Sequence, residues 1–140
     1  SVGKPLSVTT FVSLPLYRSS VSAGFPSPAE EWADFSLDLN THLIKNTPAT
    51  FFVRASGDSM EKVGIFNGDL LIVDRSRTPK NQDIVIAAIH GDLTVKRLII
   101  RNGKSVLKAE NEGFSPIEIG EDMDVHIWGV VTYVVHDLHT

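Results

Sequence analysis

Ser59, inside Gly57-Asp58-Ser59-Met60, and Lys96, inside Thr94-Val95-Lys96-Arg97-Leu98, are residue types that can act as nucleophile and base. A serine hydroxyl at its free pKa is a poor nucleophile and needs an adjacent base. A lysine serves as that base only when uncharged, which requires partial burial among apolar groups. Upstream, Ala23-Gly24 joins two small residues, so its backbone could approach a nucleophile closely, and the glycine permits unusual φ values. Nucleophile, base and target bond in one chain point to a protein that cuts itself.

Strand alternation sharpens the reading of Lys96. Residues two apart share a face, so Thr94, Lys96, Leu98 and Ile100 point one way, and Val95, Arg97, Ile99 and Arg101 the other. Lys96 thus shares its face with apolar Leu98 and Ile100. Burial lowers a lysine pKa from about 10.4 by as much as roughly 3–5 units, which would leave a useful neutral fraction. Ser59 follows Gly57 and Asp58 at the end of an apolar stretch, where a turn would expose the hydroxyl. The backbone N–H groups of Asp58 and Ser59 are the candidate oxyanion donors. Each signal has a bland counterpart: strand lysines usually snorkel to water, and G-D-S-M alone is more often a turn than a site. A Ser–Lys pair is nevertheless a recognised variant of triad chemistry, needing no orienting carboxylate. His42, His90, His126, His136 and His139 show no paired spacing with cysteine or carboxylate, so neither metal nor cofactor is expected.

The elements that would position these groups follow from composition and punctuation. The 140 residues make one compact domain with room for an appended arm, and the 42% hydrophobic content suffices for a core. There is no cysteine, hence no disulfide framework. Apolar runs such as Ile84–Ile89 are far shorter than the roughly 20 residues of a membrane helix. No charged-then-apolar leader opens the chain, so the expectation is a soluble, cytoplasmic protein without membrane contact. A net charge of −4 and a pI near 5.7 argue against direct binding of a phosphate backbone. The charge is uneven: residues 1–23 carry Lys4 and Arg18 and no acid, while residues 24–140 carry 11 basic and 17 acidic groups.

Residues 1–26 lack helical periodicity and are broken by Pro5 and Pro15, which reads as an extended arm able to pair as an edge strand around Val8–Val12. Ser27-Pro28-Ala29-Glu30 carries N-cap, first-turn proline and capping glutamate, and predicts a short helix from about Pro28 to Phe35. A second helical turn is expected around Thr41–Lys45, ending before Pro48. From Phe51 the chain reads as strands: Phe51–Ala55, Leu70–Asp74, Asp83–Ile89, Leu93–Arg101, Ser105–Ala109 and Val125–Val135. His90-Gly91-Asp92 and Asn102-Gly103 mark tight turns. The fold class is therefore mainly β: curled or barrel-like antiparallel sheets, an extended N-terminal arm, and one or two short helices.

Several ordered motifs agree with one family. Ala55-Ser56-Gly57-Asp58-Ser59-Met60, Gly64-Ile65, Gly68-Asp69-Leu70-Leu71-Ile72-Val73-Asp74, Asp83 to Ala88, Thr94 to Leu98, and Trp128-Gly129-Val130-Val131 together resemble the UmuD/LexA family of self-cleaving Ser–Lys proteins. The match extends upstream through Ala23-Gly24-Phe25-Pro26-Ser27-Pro28-Ala29 and is closest to the UmuD and MucA branch. UmuD has cysteine before the scissile glycine; this chain has alanine there, as LexA and MucA do, and both residues are small. The resemblance implies Ser59 as nucleophile, Lys96 as general base, and Ala23-Gly24 as the scissile bond. It implies an arm over residues 1–40 holding the cleavage site and a β-rich catalytic and dimerisation domain over residues 41–140. It further implies a homodimer, stimulation by RecA filaments on single-stranded DNA after DNA damage, and a trimmed product that joins a UmuC-like Y-family polymerase in error-prone lesion bypass. Only 23 residues precede the bond, too few for the helix-turn-helix domain of a LexA-type repressor, so no sequence-specific DNA binding is expected. The competing expectation is a non-enzymatic polymerase-interaction module with a vestigial dyad.

Overall fold

The computed structural model describes residues 12–17, 20–21, 23–24, 33–110, 113, 115–120 and 123–139. The chain divides into two compact units, residues 1–45 and 46–140. In the first, β1 (Leu14–Tyr17) pairs antiparallel with β2 (Ala33–Leu37), Leu14 opposite Leu37 and Leu16 opposite Phe35. The helix expected over 28–35 is corrected here: residues 33–35 belong to β2, and residues 28–32 lie outside the described residues. An isolated eight-residue helix is marginal, whereas pairing satisfies the backbone groups of two segments at once. Of the expected strand Val8–Val12, residues 8–11 lie outside the described residues, and the paired segment starts at Leu14. The second expected helical turn is present as α1 (Leu39–Leu43). Its start is set by Asp38, whose carboxylate accepts the Asn40 N–H at 3.0 Å and the Thr41 hydroxyl at 3.3 Å.

In the second unit, β3 (Thr50–Arg54), β4 (Leu70–Asp74), β5 (Ile84–Ile89), β6 (Asp92–Arg101), β7 (Lys104–Lys108), β8 (Ile117–Glu118) and β9 (Val125–Val135) form one sheet. Its order is β3-β4-β9-β5-β6-β7-β8, every neighbouring pair antiparallel. The β5–β6 and β6–β7 hairpins are two-residue turns, with positive φ at His90 and Gly91 and again at Asn102 and Gly103. The six expected strands all occur, with ends differing by a residue or less. The two-residue β8 was not anticipated, because so short a segment carries no period.

The long sheet carries a buried apolar cluster on each side of β5. Val85 and Ala87 of β5 join Leu98, Leu107 and Val130 in one apolar cluster. Ile86, between them, packs with Ala55, Met60, Ile65, Leu71 and Val73 in another. Neighbouring residues of β5 thus serve opposite faces, which explains why its sequence is apolar without alternation. β9 crosses between β4 and β5 and slips register against each, between Ile72/Val73 and between Ile86/Ala87. Gly129 sits beside the second slip. A Cβ there would lie 2.7 Å from Val73 Cγ1 and 3.1 Å from the Asp74 carbonyl oxygen. Gly129→Ala is therefore expected to cost about 1–3 kcal/mol, because buried Val73 and a backbone carbonyl must both move. Urea unfolding compared with the parent chain checks this; an unchanged midpoint would contradict the close approach.

Candidate active site

Ser59 lies in the connection between β3 and β4, and hydrogen bonds close that connection at its base. Ala55 N–H donates to the Asp69 carbonyl and Gly68 N–H to the Ala55 carbonyl, each at 2.8 Å. The Arg54 guanidinium reaches the Gly68 carbonyl at 3.0 Å. Gly57, at φ +89, gives its N–H to the Asn67 side chain at 2.9 Å. A residue with a Cβ is strained at that φ, so glycine before the Asp58-Ser59 pair has a conformational reason. After Ser59, Met60 drops into the core and a single 3-10 turn spans Glu61–Val63, ending at Gly64 in the left-handed region. Buried Met60 and Ile65 hold the far side of the loop, leaving Ser59 half-buried and Asp58 exposed. The Ser59 carbonyl is held from outside the loop by the Glu110 N–H at 2.8 Å.

Ser56, Gly57 and Ser59 line a cleft of about 410 Å³ whose apolar wall includes Val53, Met60, Ile65 and Ile86. The start of β6 also lines it, through Leu93, Thr94 and Val95. Lys96 is the next residue. It stands opposite Val85 in register, alternates with Leu98, and is itself half-buried. That surrounding withholds water from the ammonium and pushes the Lys96 pKa below the ordinary lysine range. Thr94, on the same side of the strand as Lys96 by alternation, lines the cleft with Ser59. The structure thus brings the Ser59 turn to the segment that carries Lys96. Ala23 and Gly24 form an exposed bend within the first unit.

Two side-chain pairs around the site were not singled out from sequence. Arg97 pairs through its Nε with Glu110 and donates to the Gln82 carbonyl at 2.6 Å. His136, just past β9, pairs with buried Asp69 at the base of the Ser59 loop, its ring 5.4 Å from that of Phe66. Burial alone would push the Asp69 carboxyl up, but hydrogen bonds from His136 and the Phe66 N–H hold it below the usual carboxylate range. Glu110 is 51 residues from Ser59 and His136 is 67 from Asp69. No local spacing rule links residues so far apart.

Comparison with known proteins places the chain in a family. Residues 15–132 match the family described as Peptidase S24-like. The chain is 46% identical over 122 residues to the protein ImpA of Salmonella typhimurium, an alignment covering 87% of this chain and 83% of ImpA. It is 44% identical over 122 residues to the protein MucA of Escherichia coli, covering 86% and 83%. The LexA repressor of Shewanella denitrificans is 38% identical over 108 residues, 77% of this chain and 52% of that repressor. The chain belongs to the Peptidase S24-like family of self-cleaving serine peptidases. Within that family its likeness to ImpA and MucA makes it UmuD-type, and its mostly β sheet is consistent with the LexA/UmuD C-terminal domain. Among the described residues, no helix is long and apolar enough to cross a membrane.

Proposed function

We propose that this chain is a UmuD-like peptidase of the DNA-damage response that hydrolyses its own Ala23–Gly24 bond with Ser59 and Lys96. The Ser59 Oγ proton passes to the neutral Lys96 amine as Oγ attacks the Ala23 carbonyl carbon. The resulting oxyanion is met by the Asp58 and Ser59 N–H groups. The carbon–nitrogen bond breaks, Lys96 returns the proton to the departing Gly24 nitrogen, and Ala23 is left as an ester on Ser59. Water, deprotonated by Lys96, then cleaves the ester. The 36-residue separation between Ala23 and Ser59 suits cleavage within one chain and between two.

The observation that carries this reading is the shared cleft, lined both by Ser59 and by the β6 residues leading into partly desolvated Lys96. The rest of the proposal extends the likeness to UmuD-type proteins. The chain acts as a homodimer, cleavage is stimulated by RecA filaments on single-stranded DNA, and the trimmed product becomes the accessory subunit of a UmuC-like polymerase. A filament that favours the docked arm would accelerate cleavage by shifting population rather than by adding a chemical group. Incubating the purified chain at alkaline pH is expected to yield a fragment whose mass corresponds to an N-terminus at Gly24. Full-length mass after prolonged incubation, with and without RecA filaments, would instead favour a non-enzymatic polymerase-interaction module.

A further inference from the structure

We infer that Arg97 and Glu110 are positioning residues for the reaction of Ser59 with Lys96, linking the backbone of the nucleophile to the strand that carries the base. The inference rests on the proposed roles of Ser59 and Lys96. Glu110 joins the two through separate groups. Its N–H holds the Ser59 carbonyl, and its carboxylate takes the guanidinium of Arg97, the residue after Lys96. Arg97 is fixed in turn by the Gln82 carbonyl and by the pairing of its own backbone with Lys108 of β7. Ala109, between Lys108 and Glu110, is buried, so the segment that presents Glu110 is anchored in the core.

The pair differs from an ordinary surface bridge. Arg97 and Glu110 side chains are 22% and 19% exposed, and the guanidinium donates in two directions, to a carboxylate and to a carbonyl. Charge-assisted bonds of this kind fix geometry as well as supply energy. The distance from nucleophile to base matters steeply: a misplacement of about 1 Å costs on the order of a hundredfold in rate. Glu110 is therefore the place where such a misplacement would be introduced without touching either reacting group.

Arg97 is next to Lys96 in sequence and the pair is charged, so the test separates geometry from charge. β5, packed on one side of β6, carries no charged residue, and Asp83 precedes it; β7, on the other side, carries Lys104 and Lys108. Asp58 and Glu61 lie within two residues of Ser59 in the chain, and Asp92, Arg97 and Arg101 lie on β6 itself. Self-cleavage of the full chain is followed from pH 7 to 11, with melting curves confirming folding. Glu110→Ala is expected to lower the high-pH plateau about 10- to 100-fold. Glu110→Gln, which keeps an acceptor for Arg97 without the charge, should retain most of it. Where Glu110→Ala fails to fold, Arg97→Lys keeps the charge but loses the two-way reach, and should show the same fall. Equal losses in Glu110→Ala and Glu110→Gln, or a moved midpoint with the plateau kept, would assign the pair a purely electrostatic effect and overturn the inference. An unaltered Glu110→Ala profile overturns it alone; a parent chain that never cleaves overturns the roles of Ser59 and Lys96 as well.

Discussion

Ser59→Ala is expected to abolish release of the fragment beginning at Gly24, with the rate falling at least about 10⁴-fold, below detection in hours of alkaline incubation. The size follows from chemistry. Without Oγ there is no covalent intermediate, and the cleft can only orient water that it was not shaped to hold. The side chain is half-buried in a loop fixed by backbone bonds and by Met60, so the change removes one hydroxyl and little packing. Melting should therefore stay close to the parent value, within about 0.5 kcal/mol, as for substitutions outside the core. Ser59→Ala chains keep an intact Ala23–Gly24 bond, so mixing them with active chains tests the route: cutting of the mutant requires a second chain. Persistence of the Gly24 fragment in pure Ser59→Ala at the parent rate would move the nucleophile elsewhere.

The strands were legible because their residues are. β4 and β9 keep the bounds expected of them, β4 around Ile72 and Val73 and β9 over a run rich in β-branched and aromatic residues, and the Asn102-Gly103 turn appears where a two-residue hairpin needs positive φ twice. The arm was harder. Ser27-Pro28-Ala29-Glu30 has the local chemistry of a helix start, yet residues 33–37 pair with 14–17, partners 16 to 23 residues away that local signals do not weigh. Propensity yields where pairing is available.

The site was legible in its types and not in its supports. Ser59 and Lys96 announce themselves as possible nucleophile and base, and alternation correctly set Lys96 on the side of Leu98, where Val85 also stands. The groups that hold them are long-range. Asn67 fastens Gly57, Glu110 fastens Ser59, and His136 meets Asp69 at the loop's base. Each is an ordinary surface-type residue in sequence; Asn67 gets its role from the closure of its own loop, and Glu110 and His136 get theirs from sheet order. β7 returns beside β6 and ends next to the Ser59 turn, while β9 runs beside β4 and ends near its start. Strand order therefore decides which polar residues support the chemistry, and strand order is the property a one-dimensional pattern states least.

Lys96 carries the second large effect, and its sign is fixed by which form reacts. Only the neutral amine accepts a proton, so below its pKa the rate should rise about tenfold per pH unit and level off above it. Desolvation lowers that pKa, so the levelling is expected below the ordinary lysine value of about 10.4. Lys96→Arg should be inactive throughout, because a guanidinium with pKa above about 12 stays protonated. Lys96→Ala should lose about 10²- to 10⁴-fold and keep only a residual rate that climbs with hydroxide and never levels. Rates of self-cleavage between pH 7 and 11 for the three chains decide this; a flat parent profile, or an active Lys96→Arg, would remove lysine deprotonation from the mechanism. Stability follows the same sign. An amine with a lower pKa folded than unfolded sheds its proton more readily in the folded chain, so its contribution to folding is least favourable below the folded pKa and improves as pH rises through it. Through this residue, the alkaline conditions that start the reaction favour the folded cleft in which it occurs.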